Sequence, residues 1–382
     1  MRRMSLCLVS SLLLLLLACQ PTSTPGGHPP PTAPATITTS PAPTSTVRAV
    51  AGTPDREAIG GLPAALSPPV AVSVGVLSSI SDSGIYIGLA RGYYRELGLD
   101  VHVETITDPN TIGTMVSTNQ LDVGGYGVNT NPFLAAARGI NLKLVADKAT
   151  LRPGFEGFVT LVARRELLDS GQIRSWADLR GRRVAKLAPC DSNEPNLEKA
   201  LEQGGLTRGD IEVSYMGFPD MIPALANGAV DVAVLIEPFV AVVKERGIAG
   251  PIPGSDQLYP NQQVAAIYYS PSFAQNIEAG RRFMIGYLRA VRDYNDAFTK
   301  GINRAEIVQI LTQYTPVKDA ALYDKLVPAG LDPNGRVNVA GIRDDVALWT
   351  RIGCAQGEVA DVNQVVDQSF VDYAVRVLGI YR

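Results

Sequence analysis

Apolar and polar positions repeat with two periods along most of the chain. Val70 to Val76 alternates, with valine at 70, 72, 74 and 76, as a buried strand does. A helix is expected from about Gly84, with Ile85, Leu89 and Tyr93 on one face. Val101 to Ile106 reads as a strand. Asp108-Pro109, a helix cap followed by a first-turn proline, opens a helix to Asn119. Leu121 to Gly124 is a short strand, and Asn131-Pro132 starts a helix that Gly139 ends. Leu142 to Ala146 and Phe158 to Ala163 are strands.

The alternation then recurs. Strands are expected at Arg183 to Leu187, Glu212 to Tyr215, Val230 to Leu235 and Val264 to Tyr269. Helices are expected at Trp176 to Leu179, Asn193 to Gln203, Pro219 to Ala226 and Pro238 to Arg246. After Pro271 the chain reads as helical, over 276–300, 304–314, 318–327, 339–351 and 363–379. Strands alternating with helices predict an α/β fold with largely parallel sheets and a helical C-terminal part. Two segments share one punctuation. Asn119 to Val123 leads to Asn131-Pro132-Phe133, and Asn227 to Val232 leads to Glu237-Pro238-Phe239, which points to two similarly wound lobes.

The N-terminus follows other rules. Arg2 and Arg3 precede an apolar run from Leu6 to Ala18, too short to span a membrane and of the length of a signal-peptide core. It ends Leu16-Leu17-Ala18-Cys19, which resembles a bacterial lipobox. That resemblance implies cleavage after residue 18 and a lipid on the Cys19 thiol. Residues 20–69 hold 12 prolines and 13 serines or threonines but only four charges. Such a stretch buries too little apolar surface to offset its ordering entropy, so a disordered tether over 19–69 is expected. No later segment has the run of apolar residues a membrane span needs.

Composition narrows the function. The 382 residues are 46% hydrophobic and 19% charged, with net charge −3, and loss of Arg2 and Arg3 would make it −5. An acidic chain does not suit a nucleic-acid partner. The two histidines are His28, in the tether, and His102, on a strand. With Cys7 in the signal and Cys19 at the anchor, the body keeps Cys190 and Cys354. These could pair in an oxidising compartment, but spacing does not decide it.

Four pieces in order carry a family resemblance. They are Gly84 to Val101, Asn119 to Val123, Trp176-Ala177-Asp178-Leu179-Arg180-Gly181-Arg182-Arg183-Val184-Ala185, and Val230 to Phe239. Following a lipobox, this order resembles the solute-binding proteins of ABC importers, of the nitrate/sulfonate/taurine and thiamine-precursor group. The resemblance covers about 70–380. It implies a type II periplasmic-binding fold in which two lobes close on a small ligand. Lobe one would be 70–160 plus 268–382 and lobe two 161–267, with crossings near 158–163 and 263–269. It also implies permease subunits as partners, a monomeric body held outside the cytoplasm by its lipid, and no cofactor or metal. Two features differ from many relatives: Ile236 stands where tryptophan often precedes the acidic-Pro pair, and Pro189 to Glu194 replaces a run of small residues.

In open α/β sheets, ligands bind beyond the carboxyl ends of strands, beside helix N-termini. Four loops have that position: 78–83, 125–130, 189–193 and 235–237. They offer Ser81, Asp82, Ser83, Asn129, Thr130, Asp191, Ser192, Asn193 and Glu237 for hydrogen bonds and Tyr126 for stacking, and Phe218, outside these loops, could also stack on a flat ligand. The Ser, Asp and Asn residues also suit helix caps, Glu237 a first-turn acid, Tyr126 and Phe218 packing, and Cys190 a small filler. Asp82, Asp191 and Glu237 fall in loops that hold no Lys or Arg. Carboxylates there would repel an oxyanion, so a neutral, zwitterionic or amine-bearing ligand such as a pyrimidine-like heterocycle or an amino compound is expected over a plain oxyanion, with a sulfonate-type compound as the further candidate. A rival class is an enzyme: some thiamine-precursor relatives are pyrimidine synthases that consume their own histidine. Their cysteine-rich run is absent here, His102 is poorly placed, and no nucleophile elbow or phosphate loop occurs. A ligand sensor docking on a signalling receptor is a third class.

Overall fold

A computed structural model describes residues 61–382. The expected signal segment, Cys19, His28 and most of the expected tether lie outside them. The end of that tether, from 64, is fastened to the body. Arg282 donates to the Ala64 carbonyl, and Leu66 N–H donates to the Leu97 carbonyl. Among the described residues no helix is long and apolar enough to cross a membrane.

The described chain contains ten strands. The first five are β1 (Val70–Val76), β2 (Leu99–Thr105), β3 (Val123–Gly127), β4 (Lys143–Thr150) and β5 (Val159–Arg164). Then come β6 (Arg183–Lys186), β7 (Glu212–Tyr215), β8 (Val232–Ile236), β9 (Ala249–Pro251) and β10 (Gln263–Tyr269). They form two five-stranded sheets, ordered β2-β1-β3-β10-β4 and β7-β6-β8-β5-β9. Each sheet with its helices is one lobe of an α/β fold, and the C-terminal part is helical, as the pattern predicts.

The sheets are mixed rather than wholly parallel. In the first, β1 runs parallel to β2 and β3, while β10 is antiparallel to β3 and β4. In the second, β6 runs parallel to β7 and β8, while β5 is antiparallel to β8 and β9. The reversed strand is in each case the one by which the chain enters from the other lobe. A parallel strand ends at its sheet's carboxyl edge. A chain crossing directly from there to the facing sheet enters at that sheet's carboxyl edge and must run backwards. The connecting segments are 151–158 and 252–262, and the stretches 159–163 and 263–269 are themselves sheet strands.

The repeated punctuation marks equivalent places. Asp122, before β3, accepts from the Ser73 N–H of β1 at 2.8 Å, and Asp231, before β8, accepts from the Arg183 N–H of β6 at 3.1 Å. In both lobes an aspartate ties its strand to the neighbouring parallel strand, at the middle of β1 and at the start of β6.

Most expected elements stand within a few residues of their places. The expected helix 318–327 is instead a single 3-10 turn, Ala320–Asp324. The expected helix 363–379 is split into Val362–Val365 and Ser369–Leu378, because Val366 forms a bridge to Leu144 and Asp367 N–H donates to the Leu144 carbonyl. Strand β9 went unforeseen, being three residues long. Helix Ser83–Ala90 lies close on the long helix Ile277–Lys300, since a Cβ on Gly84 would sit 2.5 Å from the Tyr287 ring. That contact fixes the N-terminal end of the first helix, and with it the loop that precedes it.

Candidate functional site

A cavity of about 410 Å³, open mouth included, lies between the lobes. The first lobe contributes Leu77, Ser79, Ser81, Pro109, Gly127 and Lys148. The second contributes Leu187, Asp191, Ser192, Asn193, Phe218 and Ile236, and Phe158, Val264 and Ala265 complete the wall. The lining is mainly apolar, with three serine hydroxyls, the Asn193 amide, Lys148 and Asp191 as its polar points.

The lobes meet closely at one edge of this cavity. A Cβ added to Gly127 would lie 2.4 Å from Ser192 Oγ and 3.0 Å from its Cβ, so the end of β3 admits Ser192 only as glycine. Gln262 bridges the same region, donating to the Ser192 carbonyl at 2.7 Å and accepting from Asn196 Nδ2 at 2.6 Å. Gly127→Ala is expected to push the lobes apart and weaken ligand binding roughly tenfold, about 1.4 kcal/mol. Calorimetry should show that adding Ser192→Gly to Gly127→Ala restores the affinity. Unchanged affinity in Gly127→Ala alone would refute the contact.

Two buried lysines neutralise the loop acids. Lys148 of β4 sits 2.8 Å from Asp82 Oδ1 and donates to Ser81 Oγ at 2.7 Å, and both members of the pair are fully buried. Asp82 Oδ2 accepts from the Ser79 N–H at 2.7 Å, which shapes loop 78–83. Lys186 of β6 sits 3.0 Å from Asp191 Oδ1 and pairs with Glu194, whose other oxygen accepts from Arg208 at 2.8 Å. Asp191 also accepts from Asn193 and Ala188 N–H groups, and burial raises its pKa against the pull of Lys186. The expectation of unneutralised carboxylates in the cleft is therefore corrected. For Asp82 and Asp191 the cations come from β4 and from the end of β6, not from the loops.

The structure brings Ser81, Asp191, Ser192, Asn193 and Phe218 to the cavity wall. Asn193 is 1% exposed, and its Oδ1 has no partner among the described residues. Phe218 also stacks on Phe239, with ring centroids 5.4 Å apart. The other expected residues are placed behind the wall. Asp82 supports Lys148, and the Ser83 hydroxyl donates to the Ile80 carbonyl at 2.5 Å. Tyr126 is wholly buried, stacked on Tyr268 at 4.1 Å, and burial holds its phenol far above its usual range. Asn129 accepts from the Asn131 N–H at 3.0 Å, and the Thr130 carbonyl accepts from Phe133 and Leu134. Cys190 is neither filler nor ligand contact, being bonded to Cys354. His102 is exposed on β2, 3.2 Å from Asp100.

Glu237 turns away from the cavity that its neighbour Ile236 lines. Its Oε2 accepts from the Ala241 N–H at 2.9 Å and its Oε1 from the Val327 N–H at 3.2 Å. Burial raises its pKa to about 7, partly opposed by those two bonds. The folded protein then holds this proton up to about pH 7, whereas the unfolded chain releases it near 4.5. The stability it contributes is full below 4.5 and is lost as pH rises through about 7. Glu237→Gln removes this titration. Its stability relative to the native chain is expected to improve from pH 4.5 to pH 8 by on the order of 2–3 kcal/mol, read by urea unfolding at both pH values. A pH-independent difference would contradict a buried, titrating Glu237.

Lys148, Phe158 and Asn193's free acceptor line the site and Lys186 supports it from behind Asp191, and of these only Asn193 came from the loop reading. The two lysines left a signal: each stands in a buried strand, where an ammonium requires an acidic partner.

A family model described as NMT1/THI5 like matches residues 80–294. The chain belongs to the NMT1/THI5-like family. Among solved structures, this NMT1/THI5-like chain is similar to the alkanesulfonate-binding protein of Xanthomonas axonopodis pv. citri bound to MOPS. The TM-score is 0.64 at 18% identity, covering 79% of this chain and 100% of that one. It is also similar to the periplasmic nitrate-binding protein of Synechocystis, with TM-score 0.68 at 14% identity over 82% of this chain and 90% of that one. The periplasmic aliphatic sulphonate binding protein of Escherichia coli gives 0.61 at 20% identity, over 80% and 99%. At these identities what is shared is the fold. A curated relative, the 4-amino-5-hydroxymethyl-2-methylpyrimidine phosphate synthase of Schizosaccharomyces pombe, is 24% identical over 162 residues, 42% of this chain. The match spans less than half of that relative, 43% of its length.

Proposed function

We propose that this NMT1/THI5-like protein is the extracytoplasmic solute-binding lipoprotein of an ABC importer, tethered through Cys19. It captures a small ligand by closure of its two lobes and delivers it to permease subunits. The observation that carries this reading is the cavity whose wall comes from the strand ends of both lobes. A ligand touching both walls at once stabilises the closed form relative to the open one, which is what couples binding to closure. The lobes are those built on the sheets β2-β1-β3-β10-β4 and β7-β6-β8-β5-β9, joined through the direct connections 151–158 and 252–262.

The ligand we propose is a flat, neutral or amine-bearing heterocycle of pyrimidine size. Phe158 and Phe218 offer ring faces, and the free Asn193 Oδ1 asks for an N–H donor. Lys148 is already held by Asp82 and Ser81, so the wall carries no cation dedicated to an oxyanion. The similarity to a pyrimidine phosphate synthase supports the same ligand class. Calorimetry with 4-amino-5-hydroxymethyl-2-methylpyrimidine, an alkanesulfonate, taurine and nitrate tests the choice. Binding of the aminopyrimidine, weakened by Asn193→Leu, is the expected result. Tight binding of nitrate or an alkanesulfonate alone would overturn it.

A further inference from the structure

The bond between Cys190 and Cys354 joins the two lobes. Cys190 belongs to the second-lobe loop that supplies Leu187, Asp191, Ser192 and Asn193 to the cavity. Cys354 follows the helix Val339–Arg351, which packs in the first lobe's core and also touches the second-lobe helix Glu194–Gln203. The lobes are otherwise linked covalently by the two connecting segments alone. Two links allow rotation about the line through them, and a third link off that line blocks it. Cys190 also has φ +54°, a left-handed backbone that residues other than glycine seldom adopt. Such outliers persist where surrounding structure over-determines them, and they concentrate at sites of function. The other ties nearby are non-covalent: Gln262 holds Ser192 and Asn196, and Tyr259 donates to Asp345 of the helix Val339–Arg351 at 2.7 Å. Arg351 and Glu202 pair at 2.7 Å, but both are more than half exposed, and such pairs hold little.

We propose that the Cys190–Cys354 disulfide is a covalent latch across the cleft. Intact, it keeps loop 187–193 within reach of the first lobe, so the lobes still open and close on a ligand but over a narrower range. Reduced, it lets the lobes separate further and the cavity exchange its contents faster. The reductant is a dithiol. One of its thiolates attacks a sulfur of the bond, the Cys190–Cys354 bond breaks, and the reagent's second thiol closes the reagent's own disulfide. Two electrons and two protons pass to the protein, leaving two thiols. In an oxidising compartment the bond persists, so the latch is set by redox conditions.

Hydrogen exchange on the full chain tests this without any ligand, so its outcome is separate from that of the ligand reading. The informative segment is 77–82, which lines the cavity from the first lobe and does not touch the bond. In Cys354→Ser, exchange there and in 187–193 should rise roughly tenfold, while the helix Ile277–Lys300 stays protected. Native protein treated with dithiothreitol should show the same pattern, and it serves if the variant does not fold. Unchanged exchange at 77–82, or an equal rise in all three segments, would overturn the latch. The first result would mean that the bond lies along the hinge, the second that it only stabilises the fold.

Discussion

Replacing Lys186 with methionine is expected to cost about 3–5 kcal/mol of stability, the scale measured when one partner of a buried ion pair is removed. The Lys186 side chain is completely buried between Asp191 and Glu194, themselves only 3% and 5% exposed. Without its ammonium, two carboxylates face each other with Arg208 alone, and Arg208 reaches only Glu194 among these two. Domain stabilities are typically about 5–15 kcal/mol, so the loss is a large share of the total. Urea unfolding reads it directly. The further substitutions Asp191→Asn and Glu194→Gln should recover much of it, since they remove the stranded charges. A loss below about 1 kcal/mol would show that water reaches these acids and that the pair is effectively exposed.

Lys148→Met should have a comparable effect, about 3–5 kcal/mol, for the same reason. Its partner Asp82 has a fully buried side chain, and Ser81 would lose the donor that orients its hydroxyl at the cavity wall. This variant also acts on binding, because loop 78–83 is shaped by Asp82. The double variant Asp82→Asn, Lys148→Met should fold more stably than Lys148→Met alone, yet still bind ligand poorly. Additive losses in that cycle would contradict a direct coupling between the two residues.

The fold was legible because its signals are local. Asp108-Pro109 is found as expected, with the aspartate accepting from the N–H groups of Asn110 and Thr111 at the helix start. The paired punctuation at Asp122 and Asp231 marks equivalent strands in the two sheets. The reversal of β5 and β10 was not legible, because strand direction is set by where the chain enters a sheet. The site was legible only in part, for a related reason. Loop position brings Asp191, Ser192 and Asn193 to the wall, but which face of a strand end looks inward is a tertiary matter. Ile236 faces the cavity and Glu237 faces Val327. Lys148 and Lys186 were hidden because they reach the loop acids from strands, Lys148 from the distant β4 and Lys186 from the end of β6, not from the loops themselves. The disulfide was hidden because 164 residues separate its ends, and no spacing rule reaches that far.

Native mass spectrometry of the gently purified full chain tests the central claim most directly. The account predicts one small organic molecule held per chain, and expects Gly127→Ala and Asn193→Leu to lower its occupancy while leaving the protein folded. A chain that carries nothing and binds none of the aminopyrimidine, sulfonate and nitrate probes would contradict the account. So would one that converts its bound molecule into a product.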